Sequence, residues 1–452
     1  MATKNQVDMI NGPLQKNIIL YSLPIIATGV LQLLFNTMDL LVVGRFCNSI
    51  AVGAVGSTSS LTTLMVNLFM GLSVGVSVTV AQGLGAGDKS RVQQLIHTAL
   101  PLAAICGAIL TILGVLGSGT FLDWMGNPEE TKQLATLYMQ IYFCGMIPNL
   151  LYNFGAAILR AAGDTVRPLL FLTVAGVLNV VFNLIFVLCF GMDVDGVALA
   201  TVISQLVSAV LVIWALMRRS DDCRLRLKKL KLRLGPLKQI LYIGLPAGIQ
   251  SSMFSIANVI IQSSVNSFGA LAVTGCAAAS TVEGYVYVSI NAFYQTAMNF
   301  TGQNMGAGKF KRIHRIVGFC LIDVAAVGIA LGSVVYAFGR PLLGLFITDS
   351  PQAIEYGMIK MTCICLPYFV CGMMDVMTGT LRGMGYSVIA MIISIVGVCG
   401  FRLAWIFTLF QIPAFHSLPW LFASYIISWS FSFVAGLIVY LVKQKRLCPK
   451  EL

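Results

Sequence analysis

Very little of this 452-residue chain is charged. Asp, Glu, Lys and Arg make up 10% of it, whereas 58% is hydrophobic and the mean hydropathy is +0.87. A water-soluble globule carries about a quarter charged residues, so a soluble fold is excluded. Histidine is nearly absent too, with only His97, His314 and His416. No His-Glu-x-x-His run, Ser-His-Asp set, C-x-x-C pair or paired catalytic carboxylates are present, which leaves an enzyme without a nucleophile–base or metal constellation. The runs Gly83-Leu-Gly-Ala-Gly87 and Gly302-Gln-Asn-Met-Gly-Ala-Gly308 resemble phosphate-cradling turns, but no strand precedes them and no Gly-Lys-Ser/Thr follows. They read as tight turns between helices. A cleavable signal peptide is not expected, because Met1 to Lys16 is polar and the first apolar run is long enough to span. The twelve cysteines fall mostly inside apolar runs, as at Cys106, Cys144, Cys320 and Cys399, and read as buried thiols.

What is present is apolar sequence in lengths that fit a bilayer. A hydrocarbon core needs about 20 apolar residues per helix. Twelve such runs lie near 17–43, 50–80, 95–118, 133–158, 166–190, 194–217, 239–267, 272–301, 313–339, 353–380, 386–411 and 416–442. The chain also repeats itself: Pro246 follows Pro24 by 222 residues, Gly306 follows Gly85 by 221, and Arg382 follows Arg160 by 222. The expected fold is therefore all-α and polytopic, with twelve transmembrane helices in two six-helix bundles. Residues 1–217 form an N-terminal lobe, 218–238 a basic linker and 239–452 a C-terminal lobe. Even numbers of spans give both halves one orientation, which predicts a pseudo-two-fold axis along the membrane normal.

Basic residues set the orientation. The termini and the loops after spans 2, 4, 6, 8 and 10 hold 24 of the 29 Lys and Arg, while Arg45, Lys132, Arg340 and Lys360 fall on the opposite side. Both termini are thus expected in the cytoplasm, which also explains the net charge of +12. Nine basic residues lie in the linker, where Arg224-Leu-Arg-Leu-Lys-Lys-Leu-Lys-Leu-Arg-Leu234 alternates. That pattern reads as a cytoplasmic segment held against anionic headgroups, with the bilayer as partner and no nucleic acid.

Ionisable side chains inside spans are costly and mark function. Thr28, Gln32, Asn36 and Asp39 share one face of the first span. Asn179 and Asn183, one turn apart in the fifth span after Gly176, offer two carbonyl oxygens, and Thr201 in the sixth offers a hydroxyl. With the Asp39 carboxylate these oxygens suit Na⁺, whereas a lone carboxylate suits a proton. In the second half Asn258 follows Asn36 by 222 residues, but the position matching Asp39 is Ile261. Other groups appear there: Glu283, Tyr287, Asn291, Tyr294 and Asn299 form a stripe in span 8, and Tyr368 and Asp375 lie seven apart in span 10. Arg402 in span 11 is the expected ion-pair partner of Glu283 or Asp375, and Asp323 reads as interfacial.

Several of these segments resemble the multidrug and toxic compound extrusion family. They are Pro24 to Gly44 with Asp39-Leu-Leu-Val-Val-Gly-Arg45, Gln82 to Gly87, Leu159-Arg-Ala-Ala-Gly-Asp-Thr165, Asn179-Val-Val-Phe-Asn183 and Gln303-Asn-Met-Gly-Ala-Gly308. The resemblance runs through both halves. It implies a V-shaped, monomeric antiporter in the cytoplasmic membrane that exports drug-like, often cationic, small organic molecules for Na⁺ or H⁺. No cofactor and no structural metal are implied. Asp39, Asn179, Asn183 and Thr201 then match the family's first-lobe cation site, and Tyr138 falls where some members have a cavity tyrosine. Gln32, Asn36, Tyr138, Asn258, Glu283, Tyr287, Asn291 and Asp375 are the expected cavity residues. The family's span-10 acid position is Gly372 here, and span 7 has no acid. A flippase for a lipid-linked precursor is the alternative within the same fold group. It would favour a cationic cavity, whereas this chain offers three acids against Arg402 alone.

Overall fold

The computed structural model describes residues 6–47, 49–124, 129–348 and 350–447, and no strand occurs among them. The helices, in chain order, are α1 (Leu14–Phe46), α2 (Ser49–Gly85), α3 (Lys89–Trp124), α4 (Glu129–Cys144), α5 (Met146–Ala161), α6 (Val166–Leu184), α7 (Val194–Met217) and α8 (Leu234–Asn266). The second half continues with α9 (Ala270–Gly306), α10 (Phe310–Ala337), α11 (Gly339–Gly344), α12 (Pro351–Ile364), α13 (Tyr368–Gly383), α14 (Ser387–Ser394), α15 (Phe401–Phe407) and α16 (Leu418–Leu447). A π-helical stretch extends α6 through Cys189, and another joins α14 to α15 over Ile395–Gly400.

Among the described residues nine helices are long and apolar enough to cross a bilayer, and eleven spans result if α4–α5 and α12–α13 each count as one bent span. The twelfth is α9. Its 37 residues exceed a bilayer's requirement, and only its polar stripe lowers its hydropathy. The count of twelve therefore holds, while two of the expected continuous helices are broken, each by 46°.

The repeated glycine landmarks are helix ends. Gly87 and Gly308 adopt φ of 67° and 66°, and Gly163 and Gly385 adopt 88° and 93°. Each follows a helix, and the next amide turns back to a carbonyl in the last turn: Asp88 N to Gly83 O at 3.2 Å, Lys309 N to Asn304 O at 2.9 Å, Asp164 N to Leu159 O at 2.9 Å and Tyr386 N to Leu381 O at 2.8 Å. That left-handed cap is cheap only for glycine. The repeat is conspicuous because the same two helix ends are needed in each half.

The chain divides into two compact units that are not continuous in sequence. Unit 1 comprises Met1–Val7 and Val30–Gly248, and unit 2 comprises Asp8–Gly29 and Ile249–Leu452. The boundary thus passes through α1 and α8. In unit 1 the first arm of α8 packs on α2 through glycines on both helices: a Cβ on Gly71 would lie 2.1 Å from Gly248 N, and one on Gly75 would lie 2.3 Å from Ile240 O. In unit 2 the first arm of α1 packs on α9, where the hydroxyls of Ser22 and Thr296 are 2.8 Å apart and Tyr21 meets Phe300 edge-on. Ser22 and Thr296 stand at the repeat positions of Gly244 and Gly75. One seam is thus closed by backbone approach and the other by a hydrogen bond.

The linker is also more ordered than its charge pattern suggests. Cys223 and Leu225 are buried, and Gln93 of α3 donates to the carbonyls of Asp222 and Arg224 at 2.6 and 3.1 Å. His97 is buried and bridges the two segments. Its Nε2 accepts from Arg226 N at 3.1 Å, which leaves Nδ1 to donate to Gln93 O at 2.6 Å. The alternation therefore places Cys223 and Leu225 inward with Arg224 and Arg226 outward. Arg219 meets Asp221 and lies 3.7 Å from the fully buried Asp164. Burial pushes the Asp164 carboxyl up, opposed by Arg167 and Arg219. Burial also acts on Asp221, but the Arg219 guanidinium outweighs it and holds that carboxyl below the usual range. Among the described residues every cysteine is free, and Cys144 and Cys189 are exposed rather than buried.

Candidate functional site

In unit 1 the polar residues of three helices converge. Gly176 of α6 makes this possible, since Phe35 of α1 lies where a Cβ would sit, 1.9 Å from it. That contact brings α1 against α6, and one helical turn beyond Phe35 the Asp39 carboxylate reaches Asn183. Asn183 Nδ2 donates to Asp39 Oδ1 at 2.5 Å and to Asn179 Oδ1 at 3.4 Å. Asn179 Nδ2 in turn donates to Thr201 Oγ1 of α7 at 3.3 Å. Asn179 and Asn183 are buried, and Asn183 Oδ1 has no partner although it is shielded from solvent. Which amide atom faces Asp39 is an assignment by hydrogen bonding. With the Asn183 amide turned over, its oxygen would join Asp39, Asn179 Oδ1 and Thr201 Oγ1 in a set of oxygen donors. Hard cations take such sets.

Other residues of the α1 stripe do not join this network. Thr28 donates to Pro24 O in its own helix at 2.7 Å, and Gln32 and Asn36 are exposed. Tyr138 of α4 packs against the buried cluster of Val42, Val43, Val187, Val194 and Val197, and it stacks on Tyr142 at 6.0 Å. Among the described residues no group of three His, Cys, Asp or Glu side chains gathers as a metal would require.

Unit 2 departs from expectation. Glu283 of α9 pairs with Lys360 of α12, Nζ to Oε2 at 3.3 Å, and accepts from the Tyr368 hydroxyl of α13 at 2.9 Å. Among the described residues Arg402 pairs with no acid. Its Nε donates to Ser428 Oγ at 3.0 Å, and its guanidinium lies 3.7 Å above the Tyr425 ring and 5.6 Å from that of Trp429. Aromatic faces and a hydroxyl replace the carboxylate because α15 packs on α16, which supplies these groups. Asp375 Oδ2 is buried without a partner. Tyr287 and Asn258 are exposed, the Tyr287 ring standing 6.4 Å from that of Tyr368, and Asn291 is half-buried with Gln295 donating to its Oδ1 at 3.4 Å. Asp323 accepts from Gln15 at 2.6 Å.

Two basic residues join these sites beyond the expected set. Lys360, which by its charge counts with the loops, lies inside the apolar run 353–380, where a lysine is as costly as an acid and needs a partner. Arg382, a repeat landmark in the sequence, is the second. It is buried, donates to Gln250 Oε1 at 2.6 Å and to the Tyr294 hydroxyl, and has an unpartnered Nε.

The sequence profile of the MatE family matches residues 24–185 and 246–408, once in each half. The probable multidrug resistance protein YpnP of Bacillus subtilis is 27% identical over 393 residues, which cover 86% of this chain and 87% of that protein. The probable multidrug resistance protein NorM of Thermotoga maritima is 26% identical over 397 residues, covering 86% and 84%. Among solved structures, the outward-facing conformation of a multidrug resistance MATE family transporter of the MOP superfamily superposes with a TM-score of 0.91. Its sequence identity is 22%, over 100% of both chains.

Proposed function

The chain belongs to the MatE family, and on that footing we propose that it is a secondary active antiporter exporting drug-like, often cationic, organic compounds in exchange for Na⁺ or H⁺. The observation that carries this reading is the chain Asp39–Asn183–Asn179–Thr201, a carboxylate bonded to one amide that leads through a second amide to a hydroxyl within the membrane region of unit 1. An amide hydrogen of Asn183 faces Asp39, an arrangement suited to an ionised carboxylate. Protonation of Asp39 gives the carboxyl a donor of its own, and rotation of the Asn183 amide would turn its carbonyl oxygen toward Na⁺. Cation and drug then favour different conformations, and each shifts the balance only by its difference in affinity for the two. Tyr287, Asn291 and Asp375 of unit 2, with Gln32, Asn36, Tyr138 and Asn258, are the proposed drug-contacting groups.

The setting follows from the same sequence arguments. The protein is a multi-pass protein of the cytoplasmic membrane, with both termini inside, acting as a monomer on small molecules without a cofactor. The test is dye efflux from proteoliposomes under Na⁺ and proton gradients imposed separately. Efflux driven by one of them supports antiport and names the ion. Efflux indifferent to both refutes it.

A further inference from the structure

The span made of α12 and α13 breaks at residues 365–367, where Pro367 supplies no amide donor. Unit 1 has the same break between α4 and α5, with the same 46° angle. The packing beneath both bends repeats as well. A Cβ on Gly107 would lie 2.6 Å from Ile147 Cα, and one on Gly328 would lie 2.8 Å from Phe369 Cα. Thr111 Oγ1 caps Phe143 O at 2.7 Å, and at the related place Gly332 lies against Cys365 O. Helix break and neighbouring glycines are therefore enough to make the bend.

Unit 2 adds a charged group that unit 1 lacks. Glu283 Oε2 takes Lys360 Nζ from the arm before the break, and Oε1 takes the Tyr368 hydroxyl from the arm after it. The Lys360 ammonium is also close to Ser280 Oγ and lies 3.5 Å from Cys276 O. Both charged side chains are mostly buried, with 12% and 18% exposure. At the repeat-related positions unit 1 has Tyr138, Met146 and Thr62, none of them charged. A buried ion pair contributes little net stability compared with apolar packing, yet losing one partner is costly. Such a pair, touching both arms of a joint that forms without it, controls the angle rather than creating it.

We propose that Glu283, Lys360 and Tyr368 form a clasp that holds the α12–α13 bend, and that transport passes through a state in which the clasp is open. Glu283 and Lys360 are then positioning residues, with Lys360 as a tethered cation on an acid that a cationic drug would otherwise claim. This revises the assignment of Glu283 to the drug contacts and is independent of which ion acts at Asp39.

The test uses the full-length protein, with hydrogen–deuterium exchange across residues 361–370 measured beside dye efflux and equilibrium dye binding. Glu283→Gln and Lys360→Met should each speed exchange at the bend by about tenfold, the effect of losing one charge-assisted bond. Maximal efflux should change by at least about threefold while the dye Kd stays within about twofold. Lys360→Arg, and the swap Glu283→Lys with Lys360→Glu, should return both readings toward wild type. Unchanged exchange at the bend in both single variants overturns the clasp. So does a dye Kd that weakens in step with efflux, which would make Glu283 a cargo ligand. If the single variants do not accumulate, the swap decides: protection at the bend restored supports the clasp, and protection still lost overturns it. Loss of gradient dependence with an intact bend would count against the Asp39 reading alone.

Discussion

Replacing Asp39 by Asn removes one ionisable group and almost no volume. Asp39 accepts from Asn183 at 2.5 Å, and that amide is held in turn through Asn179 and Thr201. A hydrogen bond to a charged group contributes about 1.5–3 kcal/mol and a neutral one about 1 kcal/mol. The substitution should therefore cost about 1–2 kcal/mol of stability at most, and the variant should still fold and insert. Coupling is a different quantity. An ion that binds one conformation better by about 1–3 kcal/mol changes drug affinity 5–150-fold, and an amide that can neither hold charge nor release a proton sets that difference near zero. Purified wild type and Asp39→Asn would be reconstituted at equal density and assayed for dye efflux with and without a gradient. The wild type should respond to the gradient and the variant should not, while passive dye exchange and dye binding persist in both. Gradient-driven efflux at the wild-type rate in Asp39→Asn would falsify the coupling role.

Gly176→Ala should impair the same site indirectly, because its Cβ would overlap the Phe35 ring; overpacking of about 1–3 kcal/mol should lower the melting temperature and gradient response together, and an unchanged variant would disprove the α1–α6 contact. Gly71→Val should destabilise the α2–α8 seam more than Gly87→Ala, since Gly71 meets Gly248 backbone whereas Gly87 has open space around it and pays only for its positive φ; the reverse order by thermal unfolding would reject the seam. Arg219→Met should cost about 2–4 kcal/mol, less than a fully unpaired buried charge because Arg167 stays 3.4 Å from Asp164, and adding Asp164→Asn should recover most of the loss; no recovery would show that the pair is not coupled. Asp221 is held low by Arg219, so its contribution to stability is complete above the unfolded value of about 3.9 and fades as pH falls through the lower folded value. Asp221→Asn should thus destabilise equally from neutral pH down to mild acid, with the difference from wild type closing only below the ordinary carboxylate range, and a gap that closes near neutrality would contradict that sign.

Much of the architecture was legible because its causes are local. Apolar length and basic-residue bias mark spans in any order, and the glycine landmarks at 87, 163, 308 and 385 mark helix ends that only glycine caps cheaply. The bends were not legible. Gly145 and Pro367 sit inside apolar runs where either residue is common in membrane helices, and the deciding partners, Gly107 and Gly328, are tens of residues away. At the unit 1 site, Asp39 and the Asn179–Asn183 pair stood out because polar groups in lipid need partners. That the network excludes Gln32 and Asn36 depends on how far Phe35 enters beside Gly176, which no periodicity records. In unit 2 the acid is legible and its partner is not, because Lys360, near the outer end of its run, carries the same signal as a loop lysine that sets orientation.

The two halves share helix ends, bend angles and the packing under the bends, but they share neither polar site. Ile261 stands where Asp39 would recur, and Thr62, Tyr138 and Met146 stand where Glu283, Lys360 and Tyr368 would precede. Duplicated structure supplies a pair of similar scaffolds, so a polar site present in one and absent from the other is not what builds the scaffold. In unit 1 the single site is an acid with amide partners that can change roles, as a site for a travelling ion must. In unit 2 it is an acid already filled by a lysine of the same chain, which an ion or drug could take only by displacing that lysine. On the proposed reading ion exchange and control of the bend are divided between the repeats, and charge-altering variants at Asp39 and at Glu283 should fail differently: the first in its response to a gradient, the second in its rate under any gradient.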